Sequence, residues 1–453
     1  MVRLDSTNRA QYEKEILDLL ENEELTLFRE RFLELHRTDQ VEIFLKLDQF
    51  NRQRVYAYLS PADFGEIFEG LEFDIQEEIA SELDERYFTS MFDKMFADDV
   101  AMFLSRLDDV EANAILEQME AEEAQEVREL LSYTPKTAGA VMTKEFISIS
   151  SMDVAATVIE KLREQGPDAE TIYYLYVVDK LGKLVGVLSL RDLITAPANE
   201  KVEAVMSTRV VSVPVEMGQE EVAKMIKKYD FLAAPVVSSQ GRLLGIVTVD
   251  DVMDILEEEA TEDLGEISAA KGATDVNVSA ITAAKKRSPW IIMLMFFGLI
   301  TAEVIGQFED TLEKIVLLAA FIPLIMDSAG NTGTQSLAVA VRGLALGTIK
   351  KGTIAKMIRR EFGTGIMLGL ICMLVLSITV TIMHQHLVLA LIVGFSIFCT
   401  LSIATVIGST VPLIINKLKL DPAIASGPFI TTVNDILGLL IYFSIATALL
   451  QYL

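Results

Sequence analysis

Residues 425–438 read ASGPFITTVNDILG, and the run stays apolar to about residue 450. That length matches the ~20 residues a helix needs to cross the hydrocarbon core of a bilayer. Asp435 stands near its middle, with Thr431, Thr432 and Gly438 at i−4, i−3 and i+3. A carboxylate at that depth costs ~3 kcal/mol on insertion scales. No Lys or Arg lies inside an apolar stretch of this chain to pair with it. Such a group is retained where it faces water, a partner or an ion, and an acid with no basic partner suits a cation path.

Working outward from it, the C-terminal part contains five apolar stretches, 289–308, 315–341, 362–383, 387–415 and 423–450. The third and fourth are separated only by residues 384–386, HQH, which makes them a tight hairpin. The second contains residues 321–335, FIPLIMDSAGNTGTQ, in which Asp327, Asn331 and Gln335 fall at i, i+4 and i+8. On a helix these form one polar stripe. Asn331, Gln335 and Asn434 read as amides that glue helices together by hydrogen bonds, and Asn331 and Asn434, with Thr431 and Thr432, also as groups that touch the water shell of an ion. Glu303, near the outer end of the first span, reads as a side chain snorkelling to the interface. His384 and His386 alternate in a three-residue turn and make a poor closed metal site.

The net charge of the 453-residue chain is −27. The last 170 residues hold twelve basic and eight acidic residues, which leaves 27 basic and 58 acidic, a balance of −31, in the first 283. So acidic a region does not bind nucleic acid through its general field; it attracts cations, divalent ones most of all. Lys285, Lys286 and Arg287 precede the first span. Arg342, Lys350, Lys351, Lys356, Arg359 and Arg360 lie between the second and third, and Lys417 and Lys419 between the fourth and fifth. The opposite loops hold only Lys314, against Glu309, Asp310 and Glu313. With five spans every basic cluster falls on one side, which places the N-terminal half in the cytosol and the C-terminus outside the cell membrane. The first residues lack the apolar core of a signal peptide, and Cys372 and Cys399 sit within apolar segments, so no disulfide framework is expected.

The first 130 residues read as short amphipathic helices. Val41/Phe44/Leu45, Phe64/Ile67/Phe68/Leu71 and Val100/Phe103/Leu104/Leu107 are apolar at i, i+3, i+4 spacing, with Asp39, Asp63 and Asp99 at N-cap or first-turn positions. Repeated short helices imply a solenoid-like superhelix. Residues 137–257 are duplicated: 140–142, AVM, recurs at 204–206, and 184–192, LVGVLSLRD, recurs as 243–251, LLGIVTVDD. The first copy is longer by five residues, matching an insertion at 165–170, QGPDAE. Each copy reads strand, helix, strand, glycine turn, strand, helix.

This duplication, with its turns at 182–186 (GKLVG) and 241–245 (GRLLG), resembles a tandem pair of CBS domains. In such modules a Ser/Thr and an Asp three residues later, here Ser189/Asp192 and Thr248/Asp251, hold a ribose through its two hydroxyls. Taken in order, the whole chain resembles the MgtE family of magnesium channels and transporters. The segments that carry the likeness are 250–263 (DDVMDILEEEATED), 330–335 (GNTGTQ) and 425–435 (ASGPFITTVND). The resemblance implies a multidomain fold: an all-α superhelical N domain (1–133), an α/β CBS pair (134–200 and 201–257), a long linking or plug helix (258–283, rooted at about residue 254), and a five-helix transmembrane pore domain (284–453).

It further implies a homodimer whose pore lies between second and fifth spans on the two-fold axis, with Asp435 selecting the ion. Mg²⁺ prefers six oxygens and sheds water reluctantly, so paired Asp435 side chains would hold it hydrated. Cytosolic Mg²⁺ would be sensed by acidic residues matching the family pattern: Asp98 and Asp99 in the N domain, Glu220 and Asp230 in the second CBS repeat, and Asp251, Asp254, Glu259, Glu262 and Asp263 along the linking helix. Tyr174, Arg191, Asp192 and Phe231 match the pocket where relatives bind adenine nucleotide, so ATP is an expected ligand. No nucleophile–base constellation or phosphate-binding Walker loop appears, and the expectation is no enzymatic activity. The expected function is a Mg²⁺-selective pore of the cytoplasmic membrane, shut by cytosolic Mg²⁺. The alternatives are a secondary transporter coupled to H⁺ or Na⁺, kept open by Asp327 and Glu303, and a membrane sensor that does not conduct, for which Asp435 has no purpose.

Overall fold

The computed structural model describes all residues except 1–3, 6, 271–278, 346–347, 350–351, 419–425 and 453, and the side chain of Asp168. The chain divides into two units, Met1–Leu256 and Glu257–Leu453.

The first unit opens with a run of short helices, from Arg9–Glu21 to Ala121–Leu131. Their apolar stripes turn inward: Phe64, Ile67, Phe68, Val100, Phe103 and Leu104 are all buried. Rings do most of the filling. Phe68 packs against Phe88, Phe92 and Phe103 at centroid separations of 5.5–6.4 Å. Each such buried ring stabilises the fold by ~1.5–3 kcal/mol relative to exposure. One stripe differs from its sequence reading: Leu45 is 42% exposed and Ile43 is buried instead. The three aspartates prove to be first-turn residues, not N-caps. Ser60 caps helix Pro61–Glu69 and Asp63 closes the capping box. Asp39 accepts from Arg9 Nη2 at 2.7 Å. Asp99 makes no cap at all, since the helix Ala97–Leu104 starts from Phe96 without a side-chain cap.

The duplicated region forms two three-stranded sheets. One is β1 (Phe146–Ser150), β2 (Thr171–Val178) and β3 (Leu184–Ser189). The other is β4 (Val213–Pro214), β5 (Ala233–Val237) and β6 (Leu243–Thr248). In both, the first pair is parallel and the second antiparallel. Gly182 and Gly241 make the hairpin turns at φ +74° and +78°, a region that L side chains avoid. The repeats join at these turns: Leu184 N–H donates to Gly241 O and Leu243 N–H to Gly182 O, both at 3.0 Å. The helical region and the second repeat share one hydrophobic core.

The linking helix departs from its expected bounds. It starts directly after β6 and runs Val249–Ile267. It ends in a Schellman-type turn: Ala269 takes φ +55°, its N–H reaches Glu266 O at 3.0 Å, and Ala270 N–H reaches Gly265 O at 2.7 Å. Ser279 caps a new helix by accepting from Thr282 N–H, so residues 280–283 belong to the first span. Residues 271–278 of the expected linker lie outside the described residues.

In the second unit, five helices are long and apolar enough to cross a membrane: Ala280–Gly306, Val316–Ala345, Ile354–His384, Leu387–Lys417 and Gly427–Ala448. The first residues of the expected fifth stretch, 423–425, lie outside the described residues. The fourth span is the most buried of the five. It touches the second where Gly408 meets Gly333; a methyl built on Gly408 would lie 2.1 Å from Gly333 O. His386 caps the fourth span by accepting from Leu389 N–H at 3.4 Å, and His384 stands edge-on to Phe321. Both histidines therefore have loop and capping roles.

Candidate ion path and acidic cluster

Asp435 lies eight residues into the fifth span, about 12 Å from its start at 1.5 Å per residue. Its neighbours are set by small residues. A methyl on Gly330 of the second span would lie 2.5 Å from Thr431 Cγ2 and 3.4 Å from Asp435 Oδ1. The glycine thus lets the two helices approach beside the carboxylate. Asp435 is half-buried, and its Oδ1 is buried without a hydrogen-bond partner among the described residues. One residue earlier, Asn434 is buried against Gly333. It is the amide that sits in a helix contact, but by packing and not by a hydrogen bond, since neither its Nδ2 nor its Oδ1 has a partner among the described residues. Asn331 and Gln335 are not; with Asp327 they are exposed, and Asn331 Nδ2 donates to Asp327 Oδ1 at 2.9 Å along the same helix. The second span thus carries a polar stripe on the outside of the chain's own bundle. Elsewhere the exposed faces of the spans are lipid-like, as with Ile292, Leu299, Leu370, Leu374 and Ile378. Glu303 is exposed on the first span, as a snorkelling residue would be.

At the end of the linking helix, Ile267 packs against the cluster of Leu337 and Val341 of the second span and Ile430 of the fifth, which Val411 and Ile415 of the fourth and Phe429 of the fifth also cover. A methyl on Gly427 would lie 3.3 Å from Ile267 O. The start of the fifth span is thus covered by the last turn of the linker. Glu259, Glu262 and Asp263 follow one another on the preceding turns, half-buried. Glu361, which sequence reading did not single out, is buried in the third span. It accepts from Ser336 Oγ of the second span at 2.9 Å and pairs with Arg360 at 2.8 Å.

In the first unit, packing gathers acid from three places. Burial, then the fields of Asp251, Glu145 and Glu170, hold Asp98 well above the usual carboxylate range. Burial and Asp98, with Glu69, push Asp99 up to about 9. Burial and Asp251 push Glu170 up to about 7. Asp251 is raised by burial against the hydrogen bonds it accepts from Thr248, at 2.5 Å from Oγ1 and 3.1 Å from N. Asp254 acts on Asp251 one turn along the helix. Asp98 Oδ1 is buried and accepts no hydrogen bond among the described residues. Among those residues no three acids or histidines are spaced to grip a bare ion. The cluster is a field of clustered carboxylates, and a strongly hydrated divalent cation fits such a field, since Mg²⁺ keeps most of its water.

Glu69, Glu145 and Glu170 belong to this cluster and were not picked out in the sequence. Glu170 sits at the end of the five-residue excess of the first repeat, and that excess was the available signal. Glu145 has its own local bonds, from Thr143 Oγ1 at 2.6 Å and Lys144 N–H at 2.9 Å, and Glu69 pairs with Arg37. Glu220 and Asp230 are not brought together. They lie at opposite ends of the helix Gln219–Tyr229, about 15 Å apart at 1.5 Å per residue. Glu220 pairs with Lys224 at 2.6 Å, and Asp230 is the left-handed C-cap.

In both Ser/Thr–Asp motifs the hydroxyl donates to the carboxylate three residues on, and the two differ in exposure. Ser189 Oγ donates to Asp192 Oδ2 at 2.7 Å in the open, whereas Thr248 is 3% exposed. Tyr174 pairs with Ser189 across β2 and β3, which places it beside the hydroxyl of the first motif. Phe231 stacks on Tyr229 at 5.4 Å, just before β5, whose Ala233 clusters with Tyr174 and Tyr176. A ribose-binding hydroxyl and carboxylate fit the open motif and not the buried one.

Family models match in three parts: "divalent cation transporter" over residues 322–445, "MgtE intracellular N domain" over 35–136, and CBS domains over 138–199 and 202–258. The magnesium transporter MgtE of Bacillus subtilis is 41% identical over 97% of both chains. A crystal structure of the soluble part of a magnesium transporter aligns at TM-score 0.54 and 40% identity, covering 56% of this chain and 99% of that one. The cytosolic domain of the Mg²⁺ channel MgtE, crystallised with ATP, aligns at TM-score 0.51 and 34% identity over 54% of this chain and 99% of its own. The helical region, the CBS pair and the five candidate spans are thus parts of one known architecture, and the chain belongs to the MgtE family of magnesium transporters.

Proposed function

We propose that this chain forms a Mg²⁺-selective pore in the cytoplasmic membrane, as a homodimer, and that cytosolic Mg²⁺ shuts it. The observation that carries the reading is the exposed stripe Asp327, Asn331, Gln335 beside Asp435. A polar stripe facing outward from one copy's membrane helices needs water or a second copy against it, because lipid tails satisfy no polar group. Two copies facing each other through these stripes enclose a polar path, and paired Asp435 carboxylates attract a divalent cation without stripping its water. The basic clusters set the N-terminus in the cytosol and the C-terminus outside.

The linking helix is the lever. Its first turn carries Asp251, within the acidic cluster, and its last turn carries Ile267, seated on the second and fifth spans. Mg²⁺ among Asp98, Asp99, Asp251 and Asp254 cancels their repulsion and fixes the start of the helix. Glu259, Glu262 and Asp263, with Asp230 and Glu220 each acting separately, add further cation-binding positions. A ligand shifts such an equilibrium only by binding one state more tightly, and repelling carboxylates supply that difference. Adenine nucleotide occupies the open motif, with Asp192 on the ribose, Tyr174 and Phe231 at the base and Arg191 at the phosphates.

Patch recording with Mg²⁺ titrated on the cytosolic face tests the scheme. Open probability should fall as Mg²⁺ rises, and replacing Glu259, Glu262 and Asp263 by Ala should leave the pore open where the wild type is shut. Currents indifferent to cytosolic Mg²⁺ would overturn it.

A further inference from the structure

The cytosolic ends of the second and third spans enclose a cavity of about 350 Å³. Val339, Ile349 and Met357 make its apolar wall, and Thr353, Lys356 and Arg360 its polar rim. The third span, a helix of 31 residues, begins at this rim. Its first amides have no partner within the helix, and they form the positive end of its dipole. Among the described residues no side-chain cap is seen at this end. Thr353 does not cap the helix; its hydroxyl donates to Thr348 O at 3.4 Å instead. The first turn holds no acidic residue, and Lys356 stands in it. A cation at a helix N-terminus is unfavourable and calls for an anion.

The shape of the demand is specific: an anion for the rim, joined to something apolar for the wall, at the membrane surface. We propose that this cavity binds the phosphodiester headgroup of an anionic phospholipid of the inner leaflet. Basic pockets between helices on the cytoplasmic side are suited to such headgroups. The phosphate lies against Lys356 and the first amides of the third span, and the glycerol end lies along Val339 and Met357. Arg360 connects the site to the path. It pairs with buried Glu361, which in turn accepts from Ser336 of the second span, one residue beyond Gln335 of the polar stripe. A headgroup drawing on Arg360 therefore acts on the group that positions the pore helix. The inference rests on the orientation proposed above.

The test uses the full chain in lipid nanodiscs with spin-labelled phosphatidylglycerol or phosphatidylcholine. The protein-bound fraction should favour phosphatidylglycerol, and Lys356→Gln should cut that preference about fivefold, the weight of one basic residue at an anionic surface. Lys285→Gln, a basic residue on the same side that does not line the cavity, should change it clearly less than Lys356→Gln does, because it touches no bound headgroup. Equal effects of the two substitutions would mean a general surface field and would overturn the site, as would displacement of the labelled lipid by millimolar inorganic phosphate. Arg360→Lys keeps the charge and loses the forked pairing with Glu361; it should spare lipid preference and alter Mg²⁺ flux. If flux is unchanged, the connection to the path is wrong. Orientation is read separately, by labelling Thr353→Cys in a background lacking Cys372 and Cys399. A membrane-impermeant thiol reagent that reaches it in intact cells would sink the topology and leave the lipid measurement standing.

Discussion

Asp98 and Asp435 each keep one buried carboxylate oxygen that accepts no hydrogen bond among the described residues, yet their surroundings differ in kind. Asp98 is surrounded by like charge: Asp251, Glu145 and Glu170 act on it, and Asp99 lies next to it. Asp435 is surrounded by close packing, with Gly330, Thr431 and Asn434 fixing the second and fifth spans against each other. A carboxylate in a repulsive field responds to whatever neutralises that field, whereas one in a rigid frame offers a constant site. The first arrangement suits sensing and the second suits selection.

The largest expected effect breaks the second arrangement. Asp435→Ala should drop Mg²⁺ uptake in a Mg²⁺-dependent host to below about a hundredth of wild type, beyond the 10–100-fold typical of losing an outer-shell partner of a metal. Asp327→Ala, which removes the hydrogen-bond partner of Asn331, should cost about tenfold. Equal losses would mean that the stripe and Asp435 are not distinct in role.

Next comes the frame itself. Gly408→Ala places a methyl against the backbone oxygen of Gly333, which cannot swing aside as a side chain would. The expected loss is at the upper end of overpacking, about 3 kcal/mol. A thermal scan of the detergent-solubilised chain reads it directly, and an unchanged midpoint would show that the second and fourth spans are loosely held.

The acidic cluster makes a prediction with a definite sign. Asp98, Asp99, Asp251 and Glu170 are raised above their ordinary values, Glu170 to about 7 and Asp99 to about 9. Between pH ~4, where an unfolded carboxyl ionises, and these higher values, the folded chain binds more protons than the unfolded one. Stability therefore falls as pH rises through that window in the absence of divalent cation. Mg²⁺ should oppose the fall at pH 8, by about 2.7 kcal/mol at a hundredfold excess over Kd, and do little at pH 5 where protons already neutralise the cluster. Asp98→Asn should flatten the pH slope and shrink the Mg²⁺ effect. An equal effect of matched Na⁺ ionic strength would reduce the cluster to an ordinary charged surface.

The smallest effect belongs to a carboxylate outside both arrangements. Asp192 is an exposed capping residue. ATP at a tenfold excess over Kd should stabilise the full chain by about 1.4 kcal/mol, and Asp192→Ala should remove that gain. Substituting Asp251, the equivalent residue of the second repeat, should leave the ATP effect in place and disturb the response to Mg²⁺. The reverse pattern would mean that burial of the second motif does not decide which repeat takes the nucleotide.

Local pattern by itself determined a good deal. An apolar run of about twenty residues has one stable outcome in a bilayer, so the five spans were readable, and a lone acid within one of them marked Asp435. Likewise the duplicated strand–turn–strand pattern determined the two sheets, and helical spacing put Asp327, Asn331 and Gln335 on one stripe. Only the tertiary structure decided which way that stripe faces, because spacing gives a face and not its neighbour. Packing alone also brought Asp98 to Asp251, some 150 residues along the chain, and added Glu69, Glu145 and Glu170 to them. No local signal separates a glutamate destined for such a cluster from one on a solvated face. The same holds for Glu361, a residue among basic neighbours in sequence that the third span turns inward onto Ser336. Ser189–Asp192 and Thr248–Asp251 show the division most plainly: alike as sequence, they fold into the same hydroxyl-to-carboxylate pair, and what packs around each leaves one open and encloses the other.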